Sequence, residues 1–419
     1  MKQIKISNAR EFHNELERSR NAYYVVEVSP ETSSWIVDDM DDILSDNRLC
    51  QHINELHFLG QNIEDISYSF QCKLPKLSAL SLGGGGLDDD SIARMGAFLP
   101  EHYLDYIDVR NNQLTLNSTS ASILHKTKSL SLEKCPVNTT SLHRFMQGYE
   151  SGSITVLDAS CSLVNTDFFC RAISNSYPQL TSLDLSGIQL DMAPYLNSLF
   201  DSRLKQLKLS HCDLEDVAIQ ILGCNVFINL DDLGMSYNKK LSDASLEIVG
   251  ESFQGSCLDL SDNSFSVAGM VAFLQNSSRN LLDRLFLDSS GMNNYFTPNK
   301  DIDRSSTKCR VRSLSIGFTP LGTSMLSILD RIATSEVEEL VLAQTEIDLD
   351  ILSSMVEEHE FPNLERLDIC LNGLDETRAK QLIRKGLSRD DIDIIVDWKP
   401  ANYQRSWFSR PKWLNTGLV

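Results

Sequence analysis

Histidine and cysteine are the residues of this chain best suited to nucleophilic chemistry, and one segment places them side by side. In that segment His211 and Cys212 put an imidazole beside a thiol, and Asp213 follows. A histidine that removes the proton from a neighbouring thiol turns that thiol into a nucleophile. The other histidines, of eight in all, are dispersed along the 419 residues. Whether this segment is a catalytic candidate therefore depends on where the fold directs the two side chains.

Other polar clusters lack the spacing of a metal or cofactor site. The ten cysteines occur singly, without a CxxC pair or a His/Cys cluster, which predicts buried, reduced thiols. The acidic run within residues 38–42 lacks the glycine and the spacing of a calcium loop. The glycines at 83–86 are followed by acids, not by the Lys-Ser/Thr pair that completes a phosphate-binding loop. We expect no metal, no cofactor, and a simple turn at the glycines.

The segment 104–114 (LDYIDVRNNQL) contains the pattern that organises the rest of the chain. Apolar residues at its first, fourth, sixth and eleventh positions, with Asn112 at the ninth, fit LxxLxLxx(N/C)xL. The alternation from Ile107 to Val109 predicts a short strand with one buried face. An Asn or Cys at the ninth position can hydrogen-bond backbone groups of the following turn that would otherwise be buried without partners.

Thirteen copies of this pattern follow one another at intervals of 23 to 29 residues. Their first positions are Ile53, Leu77, Leu104, Thr127, Ile154, Leu180, Leu204, Leu230, Gly255, Leu282, Val311, Val337 and Leu364. The ninth position is small or polar in most copies, and Ile188 is the clear departure. Such repetition predicts a leucine-rich-repeat solenoid, in which each copy adds one strand to a parallel sheet.

Between the strands, the apolar spacing changes to that of a helix. The segment 242–253 offers Ser242 as a helix N-cap, and the segments 265–274 and 374–387 show similar spacing. Repeats of this length, with room for a helix, resemble the ribonuclease-inhibitor-like branch of leucine-rich-repeat proteins. The resemblance implies an α/β solenoid curved into a horseshoe, with parallel strands on the concave face and helices on the convex face. It specifies no partner.

Three regions are predicted along the chain. Residues 1–52 form an N-terminal cap of degenerate repeats, residues 53–390 form the solenoid, and residues 391–419 form a C-terminal strand and a capping tail. The tail is basic and holds three of the four tryptophans, so it either covers the last repeat or docks a partner. The longest interval, between the tenth and eleventh repeats, predicts a loop with Tyr295 and Phe296 as candidate contacts.

The formal charge of −20 and the pI of about 4.8 constrain the partners. They predict no nucleic-acid partner and favour a protein with a basic surface. The first residues lack the apolar core of a signal peptide, and no apolar run reaches transmembrane length. We therefore expect a cytoplasmic protein without membrane insertion, acting in host cytosol if it is an exported bacterial effector.

The strands are expected to present a binding face. Side chains at the second, third, fifth, seventh and eighth positions point outward and are not needed to pack the core. The fifth position carries five aspartates in thirteen copies, so this face is partly acidic. Aromatic residues on it are candidate anchors, because interface cores favour them. The predicted partner-binding residues are Tyr106, Asp108, Asp158, Asp184, Tyr237, Asp259, Asp262, Phe286, Asp288 and Phe318. Those from Tyr237 onward are predicted to form the hot spot.

In this register His211 points outward and Cys212 points into the turn, so the two are not expected to cooperate in catalysis. The sequence therefore predicts a non-enzymatic protein-interaction module with no catalytic residue. Two alternatives stay open. One is a regulator of a small GTPase, as in proteins similar to the Ran GTPase-activating protein, although that group carries a long acidic tail and the last residues here are basic. The other is a structural subunit of a larger assembly.

Overall fold

The computed structural model divides the chain into two compact units, Met1–Asn238 and Lys239–Val419. The structure describes residues 3–6, 9–19, 22–28, 36–58, 66–84, 86–138, 141–142, 144–145, 154–162, 179–188, 203–223, 226–277, 281–289 and 308–397. The predicted loop with Tyr295 and Phe296 and the tryptophan-rich tail from residue 398 onward lie outside these residues.

The described part of the first unit contains ten parallel strands, which pair in chain order. They are β1 (Gln3–Ile6), β2 (Tyr23–Val28), β3 (Ile53–Phe58), β4 (Ala79–Ser81), β5 (Leu104–Asp108), β6 (Thr127–Ser131), β7 (Val156–Asp158), β8 (Ser182–Asp184), β9 (Gln206–Lys208) and β10 (Asp232–Gly234). Fourth-position residues are matched across strands: Leu80 lies beside Ile107, and Ile107 beside Leu130.

The described part of the second unit contains six parallel strands in the same sequential order. They are β11 (Cys257–Asp259), β12 (Leu281–Phe286), β13 (Arg310–Ser315), β14 (Glu339–Val341), β15 (Arg366–Asp368) and β16 (Asp393–Ile395). The last of these is the terminal strand that Ile392, Ile394 and Val396 predict, and all three side chains are buried.

Burial confirms the predicted register. All thirteen first-position residues are buried. Ile107, Leu183 and Leu260, from three different repeats, are each at most 1% exposed. Removing such side chains from water is the main stabilising contribution of each repeat. The predicted fold class, an α/β solenoid of leucine-rich repeats, is confirmed.

Helices occupy the connections between strands. The described ones in the first unit are α1 (Ala9–Arg18), α2 (Ile36–Ser45), α3 (Asn47–Cys50), α4 (Asp89–Gly96), α5 (Ser118–Leu124) and α6 (Asp216–Gly223), with 3₁₀ turns at Ile66–Ser69 and Phe227–Asn229. In the second unit they are α7 (Asp243–Ser252), α8 (Val267–Asn276), α9 (Ser324–Leu329), α10 (Leu349–Glu358) and α11 (Glu376–Leu387), with a 3₁₀ turn at Thr334–Glu336. Ser242 caps α7 as predicted, because its hydroxyl accepts the N–H of Ala244 at 3.3 Å.

The ninth position satisfies backbone groups at the strand end, as the sequence predicts. Asn112 donates from Nδ2 to the carbonyl oxygens of Leu82 at 3.0 Å and Val109 at 2.8 Å. Its Oδ1 accepts the N–H of Leu87 at 3.0 Å. Since Leu82 and Leu87 belong to the preceding repeat, one amide side chain joins two repeats through groups that water cannot reach.

Other ninth-position residues follow the same principle. Asn238 and Asn372 reproduce the donor and acceptor contacts of Asn112. Cys135 and Cys212 use a thiol instead, and each donates to the sixth-position carbonyl of the preceding repeat at 3.2 Å. Ile188, the departure from the pattern, is an apolar core residue that is 1% exposed.

The eighth position adopts left-handed backbone in repeat after repeat, with φ between +53° and +75°. The residues are Gly84, Asn111, Lys134, Cys161, Gly187, His211 and Tyr237 in the first unit, and Asp262, Ser289, Phe318, Gln344 and Leu371 in the second. The N–H of this residue donates to the seventh-position carbonyl of the next repeat, as Asn111 does to Glu133 at 2.7 Å. This hydrogen bond compensates a conformational cost of about 1 kcal/mol for each non-glycine residue.

Substituting Asn112 tests how much the ninth position contributes. Asn112→Ala leaves buried carbonyl and N–H groups of two repeats without partners, so we expect the free energy of unfolding to fall by about 3 kcal/mol. Urea unfolding followed by circular dichroism measures it. Gln113→Ala, at the exposed next residue, is the matched control and should change stability by less than about 0.5 kcal/mol. Equal effects of the two substitutions would contradict the assignment.

Candidate functional site

Fifth-position residues lie side by side across the strand face of the first unit. Asp108, Ser131 and Asp158 are in register on β5, β6 and β7. Asp184 and Lys208 continue the row on β8 and β9. Because neighbouring strands are about 4.8 Å apart, charges in this row act on one another directly.

Every aspartate of the fifth position accepts a hydrogen bond from the backbone N–H two residues further on. The pairs are Asp108 with Arg110, Asp158 with Ser160, Asp184 with Ser186, Asp259 with Ser261 and Asp368 with Cys370, at 2.9 to 3.0 Å. The expectation that these side chains have no structural role is wrong. The N–H at the strand end needs an acceptor, and the aspartate carboxylate supplies it. Asp108 is 1% exposed and Asp158 is 9% exposed.

Basic residues on the same face neutralise part of this row. Arg110 donates from Nε to Asp108 at 2.8 Å, and its Nη1 lies 3.6 Å from a carboxylate oxygen of Glu133. Farther along, the ammonium of Lys208 lies 4.0 Å from the carboxylate of Asp184. Sequence analysis did not predict these ion pairs. The spacing of Arg110, two residues after the fifth-position Asp108, was a signal that could have indicated the first of them.

The glycine segment provides space for one of these partners. A Cβ atom on Gly83 would lie 3.1 Å from Cγ of Arg110, so the arginine side chain passes directly over this glycine. Gly84 and Gly86 have φ of +72° and +67°, which confirms the predicted turn. The glycines thus help Arg110 to reach Asp108.

Asp158 is the carboxyl of the row with the most perturbed protonation. Its pKa is raised to about 6, first by burial and then by the neighbouring carboxylate of Asp184. Hydrogen bonds from the hydroxyl and the N–H of Ser160 act in the opposite direction. The hydroxyl of Ser131 also donates to Asp158, at 3.0 Å.

The two predicted aromatic anchors of the first unit already contact their neighbours. Tyr106 is half-buried beside Asp108, and burial together with this charge raises the pKa of its phenol. Tyr237 stacks on His211, with ring centroids 4.1 Å apart and planes inclined by 12°. Both rings are therefore held in defined positions.

His211 and Cys212 point in different directions, as the register predicts. His211 is exposed, whereas Cys212 is buried and its thiol donates to the carbonyl of Leu185. Burial also raises the pKa of the Cys212 thiol to about 12. A thiol in that state is a poor nucleophile.

The second unit combines carboxylates and aromatic rings on three neighbouring repeats. We call this group the acidic–aromatic patch; it consists of Asp259, Asp262, Phe286, Asp288 and Phe318. Asp259 and Phe286 are matched in register on β11 and β12, and Phe286 is 9% exposed. Asp262 and Phe318 are half-buried at the left-handed eighth position. The structure thus brings together these five predicted residues.

Asp288 occupies the seventh position and differs from the other aspartates of the strand face. Its Oδ1 accepts the hydroxyl of Ser315 and the N–H of Gly317, both at 2.6 Å, from the next repeat. Its pKa is raised to about 6, chiefly by burial and also by the carboxylates of Asp259 and Asp262, against the lowering effect of the two hydrogen bonds. The charges that act on Asp288 from within the patch are therefore negative.

The described residues contain no group of three or more His, Cys, Asp or Glu side chains that could hold a metal ion. Among those same residues, no helix is both long and apolar enough to cross a membrane.

Solved structures similar to this chain have leucine-rich-repeat folds. The complex of TLR13 with the RNA ssRNA13 matches with a TM-score of 0.46 and 16% identity, over 94% of this chain and 54% of that one. The internalin InlF of Listeria monocytogenes matches with a TM-score of 0.42 and 14% identity, over 87% and 91%. The yeast Rad7–Elc1 complex matches with 0.39 and 14%, over 90% and 72%. The chain thus spans about half the length of the TLR13 chain. No protein-family model and no curated protein matches the sequence.

The prediction that nucleic acid is excluded as a partner is wrong. One of the similar structures, that of TLR13, is a complex with single-stranded RNA. The prediction relied on the net charge of −20. Net charge does not determine the potential at one part of a surface, and the acidic row of the first unit itself contains Lys208 and is paired with Arg110.

Stability should depend on pH through Asp158. Its folded-state pKa of about 6 lies above the ordinary value of 3.8, so the folded state binds this proton more tightly than the unfolded chain does. The stabilisation is therefore fully present below about pH 4 and is lost as pH rises through 6, by up to about 3 kcal/mol.

Asp158→Asn removes this titration. Urea unfolding of the wild type and the variant, measured from about pH 4 to pH 8, should therefore give curves of stability against pH that diverge. Asp105→Asn, at an exposed carboxyl of the same unit, is the control and should follow the wild type. Parallel curves for Asp158→Asn and the wild type would show that the pKa is not raised.

Proposed function

We propose that the chain is a protein-binding module and that the acidic–aromatic patch holds a basic side chain of its partner. The environment of Asp288 carries this proposal, because the carboxylates of Asp259 and Asp262 lie close enough to raise the pKa of this half-buried carboxyl. A cation placed beside these carboxylates would relieve their repulsion and favour the charged form of Asp288.

The aromatic rings of the patch suit the same ligand. A guanidinium or ammonium group binds the face of an aromatic ring, and the interaction gains strength where water is excluded. Phe286 is the register partner of Asp259, and the half-buried Phe318 follows Gly317, whose N–H donates to Asp288. An arginine fits best, because its planar group can stack on a ring and hydrogen-bond a carboxylate at the same time.

The acidic row of the first unit has a supporting role in the proposal. Asp108 and Asp184 each lie within ion-pair distance of a cation of the same unit, which a partner would have to displace. Asp158, Tyr106 and Tyr237 complete the proposed contact residues, in a supporting role. Energetically minor contacts around a few anchors are usual in protein interfaces.

The proposal includes membership of the ribonuclease-inhibitor-like branch, which is supported by repeats long enough for helices such as α7 and α8. It assigns no catalytic role. The division into residues 1–52, 53–390 and 391–419 is part of it. A cytoplasmic location and an origin as a bacterial effector stay predictions.

Binding assays on patch variants test the proposal. Asp262→Lys introduces a positive charge that repels the partner's cation, and Phe318→Ala removes an aromatic ring of the patch. We expect each to weaken the binding of proteins captured on the immobilised full chain by at least about tenfold, or 1.4 kcal/mol. Asp350→Lys, at an exposed residue of α10, makes the same charge change and should leave capture intact.

Three results would overturn the proposal. The first is capture that withstands Asp262→Lys and Phe318→Ala. The second is capture insensitive to salt, because ionic contacts at a partly exposed patch are screened. The third is loss of the captured material on nuclease treatment, which would identify a nucleic acid as the ligand. Circular dichroism of each variant shows whether a loss of capture reflects a loss of fold.

A further inference from the structure

Two cysteine thiols of the first unit meet at the C-terminal end of α2. Cys50 is buried at the end of α3, and Cys72 is half-buried in the segment after the 3₁₀ turn Ile66–Ser69. The Cys50 thiol donates to the carbonyl of Ile43 at 3.4 Å, and the Cys72 thiol donates to the carbonyl of Ser45 at 3.2 Å. The Cys50 thiol also lies 3.6 Å from the carbonyl oxygen of Leu44, which accepts the N–H of Cys72 at 3.1 Å. They therefore share one small site.

Backbone hydrogen bonds hold both cysteines at this helix end. The N–H groups of Gln71 and Cys72 donate to the carbonyl of Leu44 at 3.3 and 3.1 Å. The N–H of Cys50 donates to the carbonyl of Asp46 at 3.0 Å. A disulfide forms only where the main chain already brings the two sulfurs together. Here the main chain does so on both sides, because both cysteines are tied to the same turn.

We propose that Cys50 and Cys72 form a reversible disulfide by exchange with a low-molecular-weight disulfide such as oxidised glutathione. Cys72 reacts first, because it is partly exposed whereas Cys50 is 0% exposed. The second thiol is poorly ionised, since burial and the neighbouring Cys72 raise the pKa of Cys50 to about 12. It becomes the attacking group only after the first step has brought a reactive disulfide into contact with it.

The exchange has two balanced steps. First, the Cys72 thiolate attacks one sulfur of oxidised glutathione, which breaks the sulfur–sulfur bond, forms a mixed disulfide and releases one glutathione thiolate. Then the deprotonated Cys50 sulfur attacks the sulfur of Cys72 and expels the second glutathione. Each released glutathione takes up a proton equivalent to the one lost by a protein thiol. Two protein thiols are oxidised, and one glutathione disulfide is reduced to two thiols.

The bond would close a loop that contains β3. It would join the region before the first repeat to the segment that leads into β4, and so restrict the unfolded chain more than the folded one. Oxidation also removes the thiol donors from the carbonyls of Ile43 and Ser45. Because these two hydrogen bonds are lost on oxidation, the disulfide is easier to reduce than one whose formation breaks no hydrogen bond. A reversible modification requires this.

Peptide mapping of the oxidised full chain tests this inference. The protein is equilibrated with reduced and oxidised glutathione, alkylated and digested without reductant. We expect mass spectrometry to find a peptide that links Cys50 to Cys72 and disappears on reduction with dithiothreitol. Oxidation should also raise the midpoint of urea unfolding in the wild type. It should not do so in Cys72→Ser, where the substituted side chain is only half-buried.

The exposed thiol of Cys161 provides a matched control. Cys161→Ser should retain the Cys50–Cys72 link, and Cys72→Ser should lose it. The inference is overturned if Cys72 stops at the glutathione adduct while Cys50 stays free for alkylation after denaturation. It is equally overturned if both thiols stay unmodified or if the linked peptide joins other cysteines.

Discussion

The fold depends on how each repeat satisfies the backbone groups at the end of its strand. A parallel strand pairs its N–H and C=O groups with its neighbours, but the turn that follows leaves polar groups inside the solenoid, away from water. The amide of Asn112 binds groups of two repeats, and thiols or hydroxyls take over this role elsewhere. The residues of the strand face must therefore satisfy these backbone groups as well as any binding role.

The same constraint explains why the strand face is acidic. A fifth-position aspartate recurs because its carboxylate accepts the N–H at the strand end, and a charged acceptor makes a stronger bond than a neutral one. Neighbouring carboxylates of this row repel each other, and after burial the charge of Asp184 is the next cause that raises the pKa of Asp158. Arg110 and Lys208 reduce this cost within the first unit. Acidity on this face is therefore first a consequence of the repeat, and only secondarily a clue to partners.

The sequence predicted the parts of the structure that follow from periodicity. The strand register, the N-cap at Ser242 and the opposed directions of His211 and Cys212 all follow from the spacing of apolar residues. The sequence did not predict side-chain contacts between residues of different repeats. The hydrogen bond that joins Asp108 to the N–H of Arg110 is local, but the ion pair of Arg110 with Glu133 requires knowing which residues are adjacent in the next repeat. The meeting of Cys50 and Cys72 needed the fold for the same reason, because they come from segments without the repeat pattern.

In the acidic–aromatic patch the positions of the aspartate and of an aromatic residue differ from those in the acidic row. On β12 a phenylalanine, Phe286, takes the fifth position, and the acid moves to the seventh, Asp288. There it accepts hydrogen bonds from Ser315 and Gly317 of the next repeat, not from the strand end of its own. Gly317 is itself at the strand end of a repeat whose fifth residue is a serine, so Asp288 meets from the neighbouring strand the same demand that explains the other aspartates. What the repeat does not require is the phenylalanine, or the nearness of Asp259 and Asp262, whose charges raise the pKa of Asp288 and make its charged form costly for the fold. That cost is understandable if the arrangement binds a cation, which is why the patch and not the longer acidic row carries the proposed function.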